Sequence, residues 1–322
     1  MYSVYAEIFS AKVKAVLKKG GRQLRKNMRF LPIFMTWTEF FANANTRYTG
    51  IVDNVDAALQ EDALDLTAQA LFTSDEPKEA HIWAKEETFV AGLPMASLVM
   101  QRLNVRFEYI GLVEEGTHVA AHTEVGRIVA APVALLKAER VILNYLCHLS
   151  GIANYTARFV QALEGTGVTL LDTRKTTPGL RYLEKYAVTV GGGTNHRKNL
   201  TEMLMLKDNH IDLYGSITQA CEKLRTSYSP CPPIEVECRT IAHVDEALYA
   251  GVSRIMLDNM SDDLLREALP KIPESVEAEV SGGVSLENIR HFAEISHRRP
   301  NFISVGRLTN SAPRADFSIS LS

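Results

Sequence analysis

The run Val168-Thr-Leu-Leu-Asp172-Thr-Arg-Lys175 passes from apolar to strongly polar within eight residues. Its apolar half is short enough to be a buried strand, and the charged residues then stand where that strand ends. The pattern recurs downstream. Met203–Leu206 precedes Lys207-Asp-Asn209, Ile234–Cys238 carries Glu237, and Arg254–Leu257 precedes Asp258-Asn259. Val276–Val280 precedes Ser281-Gly-Gly283, and Phe302–Val305 precedes Gly306. Helical patterns separate these runs, which is the signature of repeated βα units and a parallel sheet. Six such runs fit an α/β barrel better than a short open sheet. A barrel places its functional groups just after its strands, at the carboxyl face.

The first strand end opens the most cationic stretch of the chain. Asp172-Thr-Arg-Lys-Thr-Thr-Pro-Gly-Leu-Arg181 is followed by Gly191-Gly-Gly-Thr-Asn-His-Arg197 and Lys207-Asp-Asn-His210. Arg174, Lys175, Arg181, His196, Arg197 and Lys207 thus gather at turn positions, which describes a pocket for a small, highly charged anion. The arginine fork suits carboxylates, and lysine suits phosphate as a point charge. Imine formation by Lys175 or Lys207 is the alternative use of a strand-end lysine, because dense positive charge favours the neutral amine. Thr177-Pro178 predicts a helix start, with Leu180, Leu183 and Ala187 on its buried face and Arg181 and Lys185 on another. Gly191–Gly193 end that helix and allow close backbone approach.

Glu237 and Asp258 follow successive strands. They are placed to hold a divalent cation or to face a developing positive charge, with an ordinary strand-end salt bridge as the plain alternative. Ser281-Gly282-Gly283 and Ser304-Val305-Gly306 follow the last two strands, where backbone N–H groups cradle phosphate in barrels. His196 and His210 lack partners at metal-site spacing, and His148 reads as a structural histidine. No Walker A loop, Rossmann fingerprint, nucleophile elbow or paired-acid phosphoribosyl pyrophosphate signature occurs.

Composition sets the outer bounds. The 322 residues carry a net charge of −3, with 46% hydrophobic and 23% charged residues. That balance fits a soluble enzyme of one large domain or two, and it argues against nucleic acid or a membrane surface as the general partner. Cys147, Cys221, Cys231 and Cys238 follow no disulfide spacing, so free thiols in a reducing, cytoplasmic location are expected. No apolar run approaches the roughly 20 residues that span a bilayer.

Upstream, Asp53–Leu59 reads as a short helix, Glu61–Thr67 as an acidic loop, and Ala80–Ala91 and Val105–Ile110 as strands. Gly111–Ile128 reads as a β-meander. Pro132 opens a long helix with Leu135, Ala138, Ile142, Tyr145 and Leu149 at helical spacing. Residues 1–50 are basic, with Lys12, Lys14, Lys18, Lys19, Arg22, Arg25, Lys26 and Arg29 against the single acid Glu7. A transit peptide, a true start at Met28 or Met35, and a basic surface helix are the three readings of that extension.

Taken together these segments resemble the quinolinate phosphoribosyltransferase family, the decarboxylating enzymes of NAD biosynthesis. Glu139-Arg140-Val-Ile-Leu-Asn144, Leu149-Ser-Gly-Ile-Ala153, Thr173–Arg181, Glu184-Lys-Tyr-Ala187, Gly191–Gly193, His196-Arg197, Lys207–His210, Glu235-Val-Glu237, Leu257–Asn259, Ser281–Gly283 and Ser304–Gly306 carry the likeness in family order. The resemblance implies an α/β protein with an N-terminal α/β sandwich domain and an incomplete seven-stranded TIM-like barrel. The sandwich would span residues 51–149 plus 308–322 and the barrel residues 150–307, after the extension at 1–50. The tail Ala315–Leu321 would return to the first domain.

The resemblance further implies quinolinate and phosphoribosyl pyrophosphate as substrates, Mg²⁺ as cofactor, and a homodimer with shared active sites, a hexamer being the alternative assembly. Arg140, supplied across the dimer, would join Thr173, Arg174, Lys175, His196, Arg197 and Lys207 around quinolinate. Lys175, Lys207, Glu237, Asp258, Ser281, Gly282, Gly283, Ser304, Val305 and Gly306 would surround phosphoribosyl pyrophosphate. Lys175, Lys207, Glu237 and Asp258 would be the catalytic groups, and Glu237 and Asp258 would hold the metal, directly or indirectly. Four departures from the family pattern stand out: the glycine-free acidic loop, Asn154 for Thr, Arg307 for a small residue and Asn310 for His.

Overall fold

The computed structural model describes residues 50–322, so all three readings of the N-terminal extension lie outside the described residues. The first part of the described chain runs α1 (Ile51–Glu61), α2 (Leu66–Leu71), β1 (Lys78–Ala84), β2 (Thr88–Phe89), α3 (Leu93–Arg102), β3 (Phe107–Gly111), β4 (His118–Val119), β5 (Thr123–Ala130) and α4 (Pro132–Ala162). The second runs β6 (Thr169–Leu171), α5 (Arg181–Val190), β7 (Leu204–Leu206), α6 (Asp208–Tyr214), α7 (Ile217–Ser227) and β8 (Ile234–Cys238). It continues through α8 (Ile241–Tyr249), β9 (Arg254–Asp258), α9 (Asp262–Lys271), β10 (Glu277–Ser281), α10 (Ile289–Glu294), β11 (Phe302–Ser304), α11 (Arg307–Asn310) and β12 (Phe317–Leu321).

The first part is built on an antiparallel sheet of order β12-β1-β5-β3. The chain's last strand therefore closes the edge of its first sheet, pairing Ala84 with Phe317 and Ala80 with Leu321. The tail is tied to α4 as well, where the Ala315 N–H donates to the Cys147 carbonyl at 2.9 Å. The single strand expected over Ala80–Ala91 is two. β1 ends at Ala84, Lys85-Glu86-Glu87 turn the chain, and β2 pairs with β4 in a separate two-stranded sheet. Three consecutive charged side chains have no buried face to alternate into, so the strand breaks there. The acidic loop is shorter than expected, because Asp65 caps α2 by accepting from Ala68 N at 2.8 Å.

Helix α4 joins the two parts. Pro132 stands in its first turn, where the missing N–H costs nothing. Leu135, Ala138, Ile142, Tyr145 and Leu149 are all buried, and Leu146 and Ile152 lie with them. Each such aliphatic side chain contributes about 1.5–3 kcal/mol of burial, which outweighs the modest propensity cost of the helix's β-branched members. The boundary expected at residue 150 falls inside this continuous helix. Asn154, the departure from the family's Thr, accepts from Phe89 N and donates to Thr88 Oγ1, each at 2.7 Å, so it pins β2 to α4.

The second part is a parallel sheet of order β6-β11-β10-β9-β8-β7. All six apolar runs became strands. Their carboxyl ends lie side by side, with Leu171 beside Ser304, Ser304 beside Ser281 and Ser281 beside Asp258. Thr194 adds a single parallel bridge to Leu171 beyond β6. It is the only trace of a seventh strand among the described residues, and no ladder joins it to β7, so the barrel stays open there.

Two local expectations are corrected. The helix expected from Pro178 begins at Arg181, because Gly179 turns left-handed (φ 81°) and Thr177–Leu180 close a turn instead. On the face expected to hold Arg181 and Lys185, Arg181 is half-buried and Lys185 is fully buried. All four cysteines are free, with Cys221 and Cys238 buried. No described helix is long and apolar enough to cross a membrane.

Candidate active site

Asp258, Ser281 and Ser304 end three of the barrel strands, Asp172 and Lys207 directly follow two more, and the connections beyond them carry the cations. Thr173 Oγ1 accepts from Lys175 N at 3.0 Å, which folds the first connection tightly against its strand. Lys175 itself is exposed, and its stem runs over Gly306: a Cβ on that glycine would lie 3.0 Å from Lys175 Cδ. Thr309 Oγ1 donates to the Lys175 carbonyl at 2.8 Å. The basic run and the Ser304-Val305-Gly306 loop, far apart in sequence, are thus in contact.

The opposite side of the face holds Lys207 and Glu237. Their ammonium and carboxylate form an ion pair, with Glu237 nearly buried and Lys207 partly exposed. Asp258 ends β9 with its carboxylate accepting from Asn259 Nδ2 at 2.8 Å. Next to it, Gly282 has a φ of 93°, and a Cβ there would come within 2.3 Å of Asn259 Oδ1. Only glycine fits this turn. Ser304 is buried, and its Oγ has no partner within the protein.

The second cationic connection starts at Gly191, which caps α5. A Cβ on Gly191 would lie 2.4 Å from the Ala153 carbonyl oxygen, so the loop turns directly against α4. Arg197 is buried, donates to the Met203 carbonyl at 3.0 Å, and has its pKa lowered by burial and by the nearby Arg174. The two guanidinium groups are therefore neighbours, and the buried Nε of Arg174 has no protein partner. A pair of adjacent arginines with open donors suits a carboxylate ligand.

His196 is placed differently from expectation. Its Nε2 lies 3.3 Å from Glu235 and 3.5 Å from Glu279, both fully buried inside the barrel, at ion-pair distance but without hydrogen-bond alignment. The Arg197 N–H lies 2.7 Å from Nδ1. Nδ1 thus faces a backbone donor, while Nε2 faces two carboxylates without a hydrogen bond. Burial disfavours a charged ring, but the carboxylates of Glu235 and Glu279 outweigh it and push the pKa up to about 9. The Arg197 N–H contact favours a neutral ring. Two carboxylates outweigh one backbone dipole, so the charged form prevails. These three side chains also form a cluster whose donor atoms lie within 4.8 Å of one another. Sequence spacing could not reveal it, because Glu235 and Glu279 sit mid-strand in otherwise apolar runs.

Three further residues escaped the reading of the sequence. Asp172, Glu184 and Lys185 are fully buried charges directly behind the cationic loops. Lys185 donates to Asp172 and to the His196 carbonyl, while Glu184 bonds His148 Nε2 at 2.8 Å and accepts from Thr177 N at 3.1 Å. Burial pushes Asp172 up and Lys185 down in pKa, while each one's charge favours the ionised form of the other. His210, exposed, accepts from Lys207 N at 3.0 Å and so helps start α6. Arg140 is exposed on α4 and lines a cavity of about 230 Å³ with Glu61, Asp62, His148, Arg314 and Thr177 of the first cationic loop.

Comparisons with known proteins point to one family. Residues 65–150 match the family model for the N-terminal domain of quinolinate phosphoribosyl transferase, and residues 152–320 match that for its C-terminal domain. A probable nicotinate-nucleotide pyrophosphorylase (carboxylating) of Bacillus subtilis is 39% identical over 255 residues, 79% of this chain and 87% of that protein. The nicotinate-nucleotide pyrophosphorylase (carboxylating) of Homo sapiens is 35% identical over 272 residues, 83% of this chain and 90% of that protein. The crystal structure of NadC from Streptococcus pyogenes, 38% identical, superposes with a TM-score of 0.78 over 84% of this chain and 96% of that one.

Proposed function

The chain belongs to the quinolinate phosphoribosyltransferase family, and from that premise we propose that it transfers phosphoribosyl from phosphoribosyl pyrophosphate to quinolinate with decarboxylation. The products are nicotinate mononucleotide, CO₂ and pyrophosphate, a step of NAD biosynthesis. The observation that carries the reading is the contact between the basic run and the glycine loops at one carboxyl face, where Lys175 lies over Gly306. Such a face suits one substrate with two carboxylates and another with phosphates.

Arg174, Arg197 and Lys207 pair with the quinolinate carboxylates, with Thr173 and Lys175 beside them. His196 acts as a buried positive charge beneath that pocket rather than as a direct ligand, its Nε2 facing Glu235 and Glu279 inside the barrel. Lys175, Lys207 and the N–H groups around Ser281, Gly282, Gly283, Ser304, Val305 and Gly306 hold phosphoribosyl pyrophosphate. The quinolinate nitrogen forms a bond to ribose C1 as the C1–O bond breaks, and that bond's electron pair leaves with pyrophosphate. Positive charge develops on the sugar, where Glu237 and Asp258 oppose it. Fixing two multiply charged reactants in register supplies much of the rate. The ring nitrogen is then quaternary. The bond from C2 to its carboxylate breaks, its electron pair stays on C2 beside N⁺, and a proton from solvent replaces CO₂.

Glu237 and Asp258 are hard oxygen donors of the kind that hold Mg²⁺ together with substrate phosphates. A Mg²⁺ held there would supply charge neutralisation for the leaving pyrophosphate. Lys207 serves as an ammonium, ion-paired to Glu237, not as an imine-forming amine. Arg140 is supplied to the neighbouring site of a homodimer, consistent with its exposure in a cavity lined by none of the other quinolinate-side cations. The sandwich of residues 51–149 with 308–322 and the barrel of 150–307 would be its working parts. Incubation with quinolinate, phosphoribosyl pyrophosphate and Mg²⁺ should yield nicotinate mononucleotide. Turnover of nicotinate with none of quinolinate would overturn the reading.

A further inference from the structure

Helix α5 lies between the two cationic loops, residues 173–180 before it and 191–197 after it. In its middle it carries two adjacent charges, Glu184 and Lys185, both fully buried. Successive helix residues project about 100° apart, so neighbours reach in different directions. Glu184 reaches the first loop and accepts from the backbone N–H of Thr177 at 3.1 Å. Its other oxygen is held by His148 of α4 at 2.8 Å. Lys185 reaches the second loop, donating to the His196 carbonyl at 3.0 Å and to Asp172. Asp172 completes the second set, accepting from His196 N at 2.8 Å and from Asn195 Nδ2 at 2.7 Å. Asn195 Nδ2 also donates to the Lys185 carbonyl at 2.8 Å.

Stability alone is a weak account of this arrangement. A buried ion pair gains little over apolar side chains of similar volume. These charges spend their hydrogen bonds on loop backbone, beside the residues that carry the site's cations. Arg174 and Lys175 stand on the first loop, and Arg197 directly follows the doubly held His196.

We propose that Glu184 and Lys185 are positioning residues: Glu184 sets the first cationic loop, and Lys185 with Asp172 sets the second, so that the substrate anions meet prearranged donors. The proposal rests on the quinolinate phosphoribosyltransferase reading. It predicts different kinetic signatures for the two anchors, because the second loop serves quinolinate alone while the first serves both substrates.

The test compares wild type with Glu184→Met, Lys185→Met and the double variant Asp172→Asn/Lys185→Met, measuring KM for each substrate alongside thermal melting. Lys185→Met leaves Asp172 buried and unpaired, so a loss of folding there is expected, and the double variant carries the test. The double variant should melt closer to wild type than the single one. Its KM for quinolinate should nevertheless rise about 10- to 100-fold, with that for phosphoribosyl pyrophosphate changed by no more than about twofold. Glu184→Met should raise both. A double variant with wild-type quinolinate KM overturns the proposal, as do shifts equal for both substrates that track melting temperature in every variant. A wild-type enzyme that makes no nicotinate mononucleotide would bring down the functional reading as well, whereas an active wild type with unaffected variants brings down this proposal alone.

Discussion

A histidine inside a basic run reads in sequence as one more anion ligand. His196 shows what neighbours on other strands do to that reading. Glu235 and Glu279 face it from β8 and β10, Arg254 lies 3.5 Å from Glu279, and Arg197 follows it in the chain. The raised pKa has a consequence for stability. A histidine held above its ordinary 6.5 contributes stability that is complete below about pH 6.5 and is lost as pH rises through about 9. Thermal melts of wild type and His196→Asn from pH 6 to 10 should therefore converge at the alkaline end, the difference at low pH being on the order of 1–3 kcal/mol. Parallel curves across that range would show the imidazole to be neutral throughout.

At the scale of elements, the strand ends decide the chemistry, and Gly282 is the sharpest test of one. Its left-handed backbone and the closeness of Asn259 leave no room for a methyl group. Gly282→Ala should add about 1–3 kcal/mol of local strain and raise KM for phosphoribosyl pyrophosphate more than KM for quinolinate. An unchanged phosphoribosyl pyrophosphate KM would remove this loop from the phosphate site. The six strands were legible because short, mostly apolar runs recur with polar residues at or just past their ends. The cationic loops were legible for the same reason. What stayed hidden depended on distant partners or on a single torsion angle. Lys185 reads only as a charge sharing a helix face with Arg181 until Asp172, 13 residues upstream, is seen beside it. The start of α5 at Arg181 follows from the left-handed turn at Gly179, which a Thr-Pro signal does not reveal. Thr194 adds to the barrel through one bridge, too short to show any periodicity.

At the scale of the molecule, β12 returns after the barrel strands to close the edge of the first sheet. Both family models fall within one continuous structure whose long helix α4 crosses their boundary. The same helix carries Arg140 into a cavity that none of the other quinolinate-side cations lines. If that arginine serves a neighbouring subunit, Arg140→Ala and Arg174→Ala should each abolish quinolinate turnover. Mixing and reassembling the two should restore about a quarter of wild-type activity, because half of the dimers are hybrids, each with one intact site in two. No recovery on mixing would place Arg140 in its own subunit's site or outside it.

The central claim is a reaction in which ribosylation and decarboxylation occur at one carboxyl face. It is tested most directly by supplying quinolinate labelled in its 2-carboxylate and following label, pyrophosphate and nucleotide together. The account predicts that labelled CO₂, pyrophosphate and nicotinate mononucleotide appear in equal amounts, and only when phosphoribosyl pyrophosphate is present. Pyrophosphate release with the label retained in the nucleotide, or labelled CO₂ without phosphoribosyl pyrophosphate, would contradict it.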